Sequence, residues 1–153
     1  MEIEAMNDDS FRVMDMAFKG YQCSQILIAL ALEARGKQNE DLVRAMSGLL
    51  GGMHSGKTCG ALTGGCCLLG LYAGWGTPDA SPDERLSAML NEFVEWFESE
   101  YTERYGGVQC AEIVHDDMRN KMARCPGIVT ECLARLKQIL AEHHYDVDRP
   151  SVE

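Results

Sequence analysis

The chain is poor in positive charge. Its 153 residues hold 14 lysines and arginines against 24 aspartates and glutamates, a formal net charge of −10. No basic stripe interrupts the acidic balance, so a phosphate backbone would be repelled and nucleic acid is not an expected partner. Residues 1–10 lack an export signal: Glu2, Glu4, Asp8 and Asp9 stand where a basic start and an apolar stretch would be needed. A cytoplasmic location is therefore expected. A long uninterrupted apolar run is missing as well. Residues 59–75 come nearest, but five glycines (Gly60, Gly64, Gly65, Gly70 and Gly74) interrupt them, and the stretch falls short of the roughly 20 residues of a membrane span. A buried helix is expected there and membrane insertion is not. Strand-like alternation, internal repeats, low-complexity tracts and interdomain linkers are also missing.

What is present is apolar spacing of helical period along nearly the whole chain. It predicts an all-α bundle of about five to six helices in one domain over 1–145, with a flexible polar tail over 146–153. The first helix should start within 7–10 and carry Phe11, Met14 and Phe18 as its stripe, with a break at Gly20. Its continuation holds Ile26, Leu27 and Leu30 and ends at Gly36. Asn39 is the expected N-cap of a short helix with Leu42, Met46 and Leu49 on one face, closed by Gly51, Gly52 and Gly56. The Gly/Ala/Cys-rich run after Cys59 is the expected central helix, its glycines admitting close neighbours. Ser81, Pro82 and Glu84 read as N-cap, first-turn proline and capping-box carboxylate of the next helix. That helix turns Leu86, Met89, Leu90, Phe93, Val94 and Phe97 inward and stops at Gly106 and Gly107. A short helix from Cys110 and a last one over 126–142 complete the set.

Seven cysteines in an acidic chain without an export signal point away from a complete disulfide framework, which the odd number cannot form. Three of them, Cys59, Cys110 and Cys125, fall at expected helix starts. There, free backbone N–H groups and the positive end of the helix dipole favour a thiolate and so a nucleophile or metal ligand. Cys23, just beyond the Gly20 break, is a weaker case of the same kind. Cys132 lies among Ile128, Val129, Leu133 and Leu136 and reads as core, and Cys66 and Cys67, inside the apolar run, read as core too.

These residues resemble a known family, the redox-active proteins designated C_GCAxxG_C_C. The likeness rests on Tyr21-Gln22-Cys23-Ser24-Gln25, on Thr58-Cys59-Gly60-Ala61-Leu62-Thr63-Gly64, on Cys110 after Gly106-Gly107, and on Cys125-Pro126. The central segment runs Cys-Gly-Ala-x-x-Gly, an order that departs from the designation. The resemblance implies a helical domain with a redox role, as an oxidoreductase or electron carrier, and a redox protein as partner. Cys66, Cys67 and Cys132 lie outside the pattern.

Two chemistries suit Cys23, Cys59, Cys110 and Cys125. Four thiolates can hold zinc or an iron–sulfur cluster, although no C-x-x-C pair is present and the fold would have to assemble the site. Alternatively, Cys59 attacks a disulfide and one of the other three resolves it. A noncatalytic metal-binding or regulatory module is a further reading. Residues 51–58, Gly51-Gly52-Met53-His54-Ser55-Gly56-Lys57-Thr58, spell a phosphate-binding P-loop. The stretch before them has the period of an amphipathic helix where the motif requires a strand, so a flexible interhelical loop placing Cys59 is expected instead of a nucleotide site. Lys57 would favour a Cys59 thiolate. His54 and His115 could supplement a metal site but read as solvated, and His143 and His144 read as an exposed helix end.

Overall fold

The structure is a computed structural model and describes residues 8–147. In chain order it comprises α1 (Asp8–Phe18), α2 (Cys23–Ala34), α3 (Glu40–Ala45), a 3-10 turn (Met46–Leu49), a π-type turn (Gly52–Gly56), α4 (Gly60–Ala73), α5 (Arg85–Tyr105), α6 (Cys110–Val114) and α7 (Met118–Glu142). The fold is all-α as expected, with seven α-helices among the described residues where five to six were anticipated. No strand occurs among them. The single exception to helical pairing is an antiparallel bridge between Thr58 and Gln109.

Helix α4 is central and packs against α2, α5 and α7. Its small residues allow this. A Cβ at Gly64 would lie 2.8 Å from the Ser24 backbone of α2, and one at Gly65 would clash with the edge of the Phe93 ring of α5. Ser24 is fully buried and donates its hydroxyl to the Met46 carbonyl at 2.7 Å, tying the 3-10 turn to α2. The opposite wall is aromatic: Phe93, Phe97 and Tyr101 of α5 are all fully buried. Leu136, Ile139 and Leu140 of α7 close the core.

Several local signals act as expected. The Asn39 side chain accepts from the Leu42 N–H at 3.0 Å, and the glycines that end helices, Gly20, Gly36 and Gly106, all adopt positive φ. The predicted N-cap Ser81 does not function as one. The N-cap position of α5, which begins at Arg85, is Glu84, and it is Asp83, one residue earlier, whose side chain accepts from the Arg85 N–H at 2.9 Å. Asp83 wins because its carboxylate also binds the Arg85 side chain and the Tyr145 hydroxyl.

Two larger corrections concern helix faces and limits. The α1 stripe of Phe11, Met14 and Phe18 points outward, with Phe18 87% exposed, while Val13 and Met16 are buried. Both sets have helical spacing. The smaller side chains let α1 settle on α7, where Asp9 meets Lys137 at 2.6 Å. The last helix begins at Met118, not at Pro126, with the Asp117 side chain accepting from the Arg119 N–H at 2.9 Å as its cap. Pro126 sits inside the helix at the loss of one backbone hydrogen bond, a cost that packing of the following apolar face offsets. Tyr145 donates its hydroxyl to Asp83, and Val147, in the expected tail, accepts from the Tyr72 hydroxyl at 3.0 Å. Residues 1–7 and 148–153, including the early limit of the expected first helix, lie outside the described residues.

The glycine packing makes a direct prediction. Gly64→Ala should destabilise the protein by about 1–3 kcal/mol through overpacking. Gly70→Ala, whose Cβ meets nothing within 4 Å, should stabilise it by roughly 0.5–1 kcal/mol through helix propensity. Denaturant unfolding of both variants checks this; equal effects would remove close packing as the reason for glycine in α4.

Candidate functional site

Four different elements carry the four cysteines. Cys23 opens α2 behind a capping box in which the Gln22 N–H donates to the Gln25 side chain at 3.3 Å. Cys59 is the N-cap of α4. Cys110 opens α6 behind a second box, the Gln109 N–H donating to the Glu112 carboxylate at 3.1 Å. Cys125 lies within α7, immediately before Pro126.

The glycine loop delivers Cys59 by an unusual turn. Gly51, Gly52, Met53 and His54 are consecutive residues with φ of 59°, 63°, 61° and 56°, a left-handed stretch in which Met53 and His54 carry strain that glycine avoids. The Lys57 N–H donates back to the Gly52 carbonyl at 3.1 Å, so the loop is a hydrogen-bonded turn. Beyond it, the Cys59 N–H donates to the Val108 carbonyl at 2.9 Å and the Cys110 N–H to the Lys57 carbonyl at 2.6 Å. These two bonds flank the Thr58–Gln109 bridge and bring Cys59 and Cys110 onto adjoining chain segments. On the other side, Arg124 donates to the Ile113 carbonyl at 2.7 Å and Asn120 to the Val114 carbonyl at 3.0 Å, fixing α6 against the part of α7 that bears Cys125.

All four cysteines line one cavity of about 550 Å³. Cys23 approaches the base of α4 so closely that a Cβ at Gly60 would lie 2.6 Å from its Sγ. All seven cysteines are free thiols. Among the described residues no three His, Cys, Asp or Glu side chains converge tightly enough to hold a metal ion as they stand; the four thiols surround a space instead of meeting at a point.

At Cys59 and Cys125 burial dominates the electrostatics and reverses the expectation of activated thiols. It pushes the Cys59 thiol from its ordinary 9.0 up to about 12, against the opposing pull of the Ala61 and Leu62 N–H groups. The helix start is real, yet desolvation of the charge outweighs it. Cys125 is pushed up to about 11, first by burial and then by Cys23 and Cys110, and it has no helix start to help it. Cys23 is raised by burial and by Cys110, with the Ser24 and Gly51 N–H groups and Lys121 opposing. The thiols thus oppose one another's ionisation.

The cation at this site is Lys121, which sequence reasoning missed. It lines the cavity and favours the charged forms of both Cys23 and Cys125. Its signal was a lysine four residues before a cysteine, one helical turn away, which is visible only once α7 is known to start before it. Lys57, the expected cation, is exposed and does not line the cavity. His54 and His115 are also exposed and outside the lining; a His54 ring nitrogen lies 2.9 Å from the Ser47 carbonyl. His143 is not an exposed end but faces Glu92 at 3.0 Å. Cys132 is fully buried as expected and Cys66 is half-buried against the core, whereas Cys67 is exposed, contrary to its reading as core. The P-loop lookalike follows a helix and a 3-10 turn, not a strand.

The comparison with protein families gives a match over residues 21–139 to the family described as "Putative redox-active protein (C_GCAxxG_C_C)". No curated protein and no solved structure matches the chain. No helix among the described residues is long and apolar enough to cross a membrane.

Two outcomes are expected of this geometry. A thiol whose folded pKa is raised contributes stability that is full below its unfolded pKa and is lost as pH rises through the folded value. Reduced, metal-free protein should therefore lose thermal stability as pH rises from about 9 toward 12, in step with the raised Cys59 and Cys125. The loss should be shallower in a Cys59→Ala, Cys125→Ala double variant, and an unchanged slope would contradict the assignment. Separately, Gly60→Ala should displace Cys23 and raise its rate of alkylation relative to wild type at constant pH, with helix content by circular dichroism retained.

Proposed function

From the premise that the chain belongs to the C_GCAxxG_C_C family of redox-active proteins, we propose that Cys23, Cys59, Cys110 and Cys125 together ligate an iron–sulfur centre that carries electrons. The observation supporting this most directly is that four cysteines from four separate elements line one cavity. An all-thiolate donor set suits zinc or iron–sulfur. Zinc has no redox chemistry and needs its sulfurs about 2.3 Å from a common point, whereas no three of the described ligand side chains converge in that way. A multinuclear centre accords better with both facts.

Thiol–disulfide exchange is less well supported. It needs an attacking thiolate, and Cys59, the residue best placed by its helix start, is pushed up to about 12, leaving very little thiolate at neutral pH. Cys23, Cys59, Cys110 and Cys125 would hold a metal as thiolates, its positive charge offsetting the cost of ionising buried sulfurs. When bound, an iron–sulfur centre supplies reversible electron uptake. The chain itself holds the sulfurs apart on four elements, keeps water from Cys59, and sets the Lys121 charge beside Cys23 and Cys125. A redox protein would be the electron partner, and seven free thiols suit a reducing, cytoplasmic setting.

Anaerobic preparation with iron and sulfide should give a coloured protein, and serine at any of Cys23, Cys59, Cys110 or Cys125 should lower its iron content while Cys67→Ser leaves it unchanged. A colourless, iron-free protein would overturn the proposal. In that case stoichiometric zinc would favour a redox-inert module, and reversible loss of free thiols on oxidation would favour exchange.

A further inference from the structure

The cavity is larger than a sulfur-held centre requires, and its walls extend beyond the cysteines. Val13 and Ala17 of α1, a helix without any cysteine, line it, as do Ile128 and Val129 of α7 and Met118 and Met122 near its mouth. At about 550 Å³ it falls in the range of small-molecule sites, which combine apolar walls with a few placed polar groups. Lys121 is the one cation in its lining. It is half-buried and lies one helical turn before Cys125. Its ammonium makes no ion pair or side-chain hydrogen bond among the described residues.

The acids of the lining do not neutralise it. Asp117 is engaged by its own neighbour, the Arg119 guanidinium reaching its carboxylate at 3.1 Å. Asp116 is exposed. No carboxylate of the lining neutralises this half-buried ammonium, and its apolar surroundings favour an anion joining it.

We propose that this cavity binds a small organic carboxylate with an apolar body, its carboxylate paired with Lys121 and its body against Val13, Ala17, Ile128 and Val129. The exposed Asp116 would disfavour a second negative charge, so a monoanion is the class selected. As a binding site the pocket stands on its own geometry. Its identity as the substrate pocket of the neighbouring sulfurs rests on the redox reading of those sulfurs.

The test is calorimetric titration of the purified full chain with 4-phenylbutyrate and with its neutral analogue 4-phenylbutyramide. The carboxylate should bind about tenfold more tightly than the amide, the size expected of one charge-assisted contact. Lys121→Gln should abolish that preference and Lys121→Arg should retain it, with circular dichroism unchanged in both. Absence of carboxylate binding, equal binding of the two probes, or a preference that survives Lys121→Gln would overturn the proposal. The two proposals fail separately. Carboxylate binding to protein that takes up no iron would leave the pocket and remove the metal centre, and iron-loaded protein indifferent to the carboxylate would do the reverse.

Discussion

The close approach of α4 to its neighbours is the constraint on which the rest of the structure depends. Three glycines make it: Gly60 beneath the Cys23 sulfur, Gly64 against Ser24, and Gly65 against the Phe93 ring. The last two set the core, fixing α2 on one side and the aromatic wall of α5 on the other. The first sets the site, because Cys23 and Cys59 can border one cavity only if the start of α4 has no side chain between them. The same few residues therefore set both the core and the cavity, which explains why a segment so poor in helix propensity forms the central helix.

The site is assembled from non-local parts. The Thr58–Gln109 bridge joins the segments of Cys59 and Cys110, and the Arg124 and Asn120 contacts join α6 to α7. Burial then keeps Cys59 and Cys125 neutral, both raised well above 9. Such an arrangement is a poor store of free nucleophile.

Much of the helical order was legible because it is local. The Asn39 cap, the positive-φ glycines and the Cys59 N-cap all depend on neighbours a few residues away. The errors arose where tertiary packing chose among local options. Either apolar face of α1 could have turned inward, and only docking on α7 selected Val13 and Met16 over Phe11 and Phe18. Pro126 reads as a helix start, but the Asp117 cap begins α7 a full two turns earlier. That one displacement hid Lys121 and gave Cys125 an electrostatic setting it lacks. The cysteine set itself was visible, whereas its burial, which decides the thiol chemistry, is a property of the assembled fold.

The central claim is that four sulfurs from four elements share one centre. X-ray absorption at the iron and zinc edges of anaerobically prepared protein reports that shell directly. The account predicts iron in an all-sulfur first shell, with an oxygen ligand appearing in Cys125→Ser. Iron bound mainly through nitrogen or oxygen in the unmodified protein, or no bound metal at all, would contradict it.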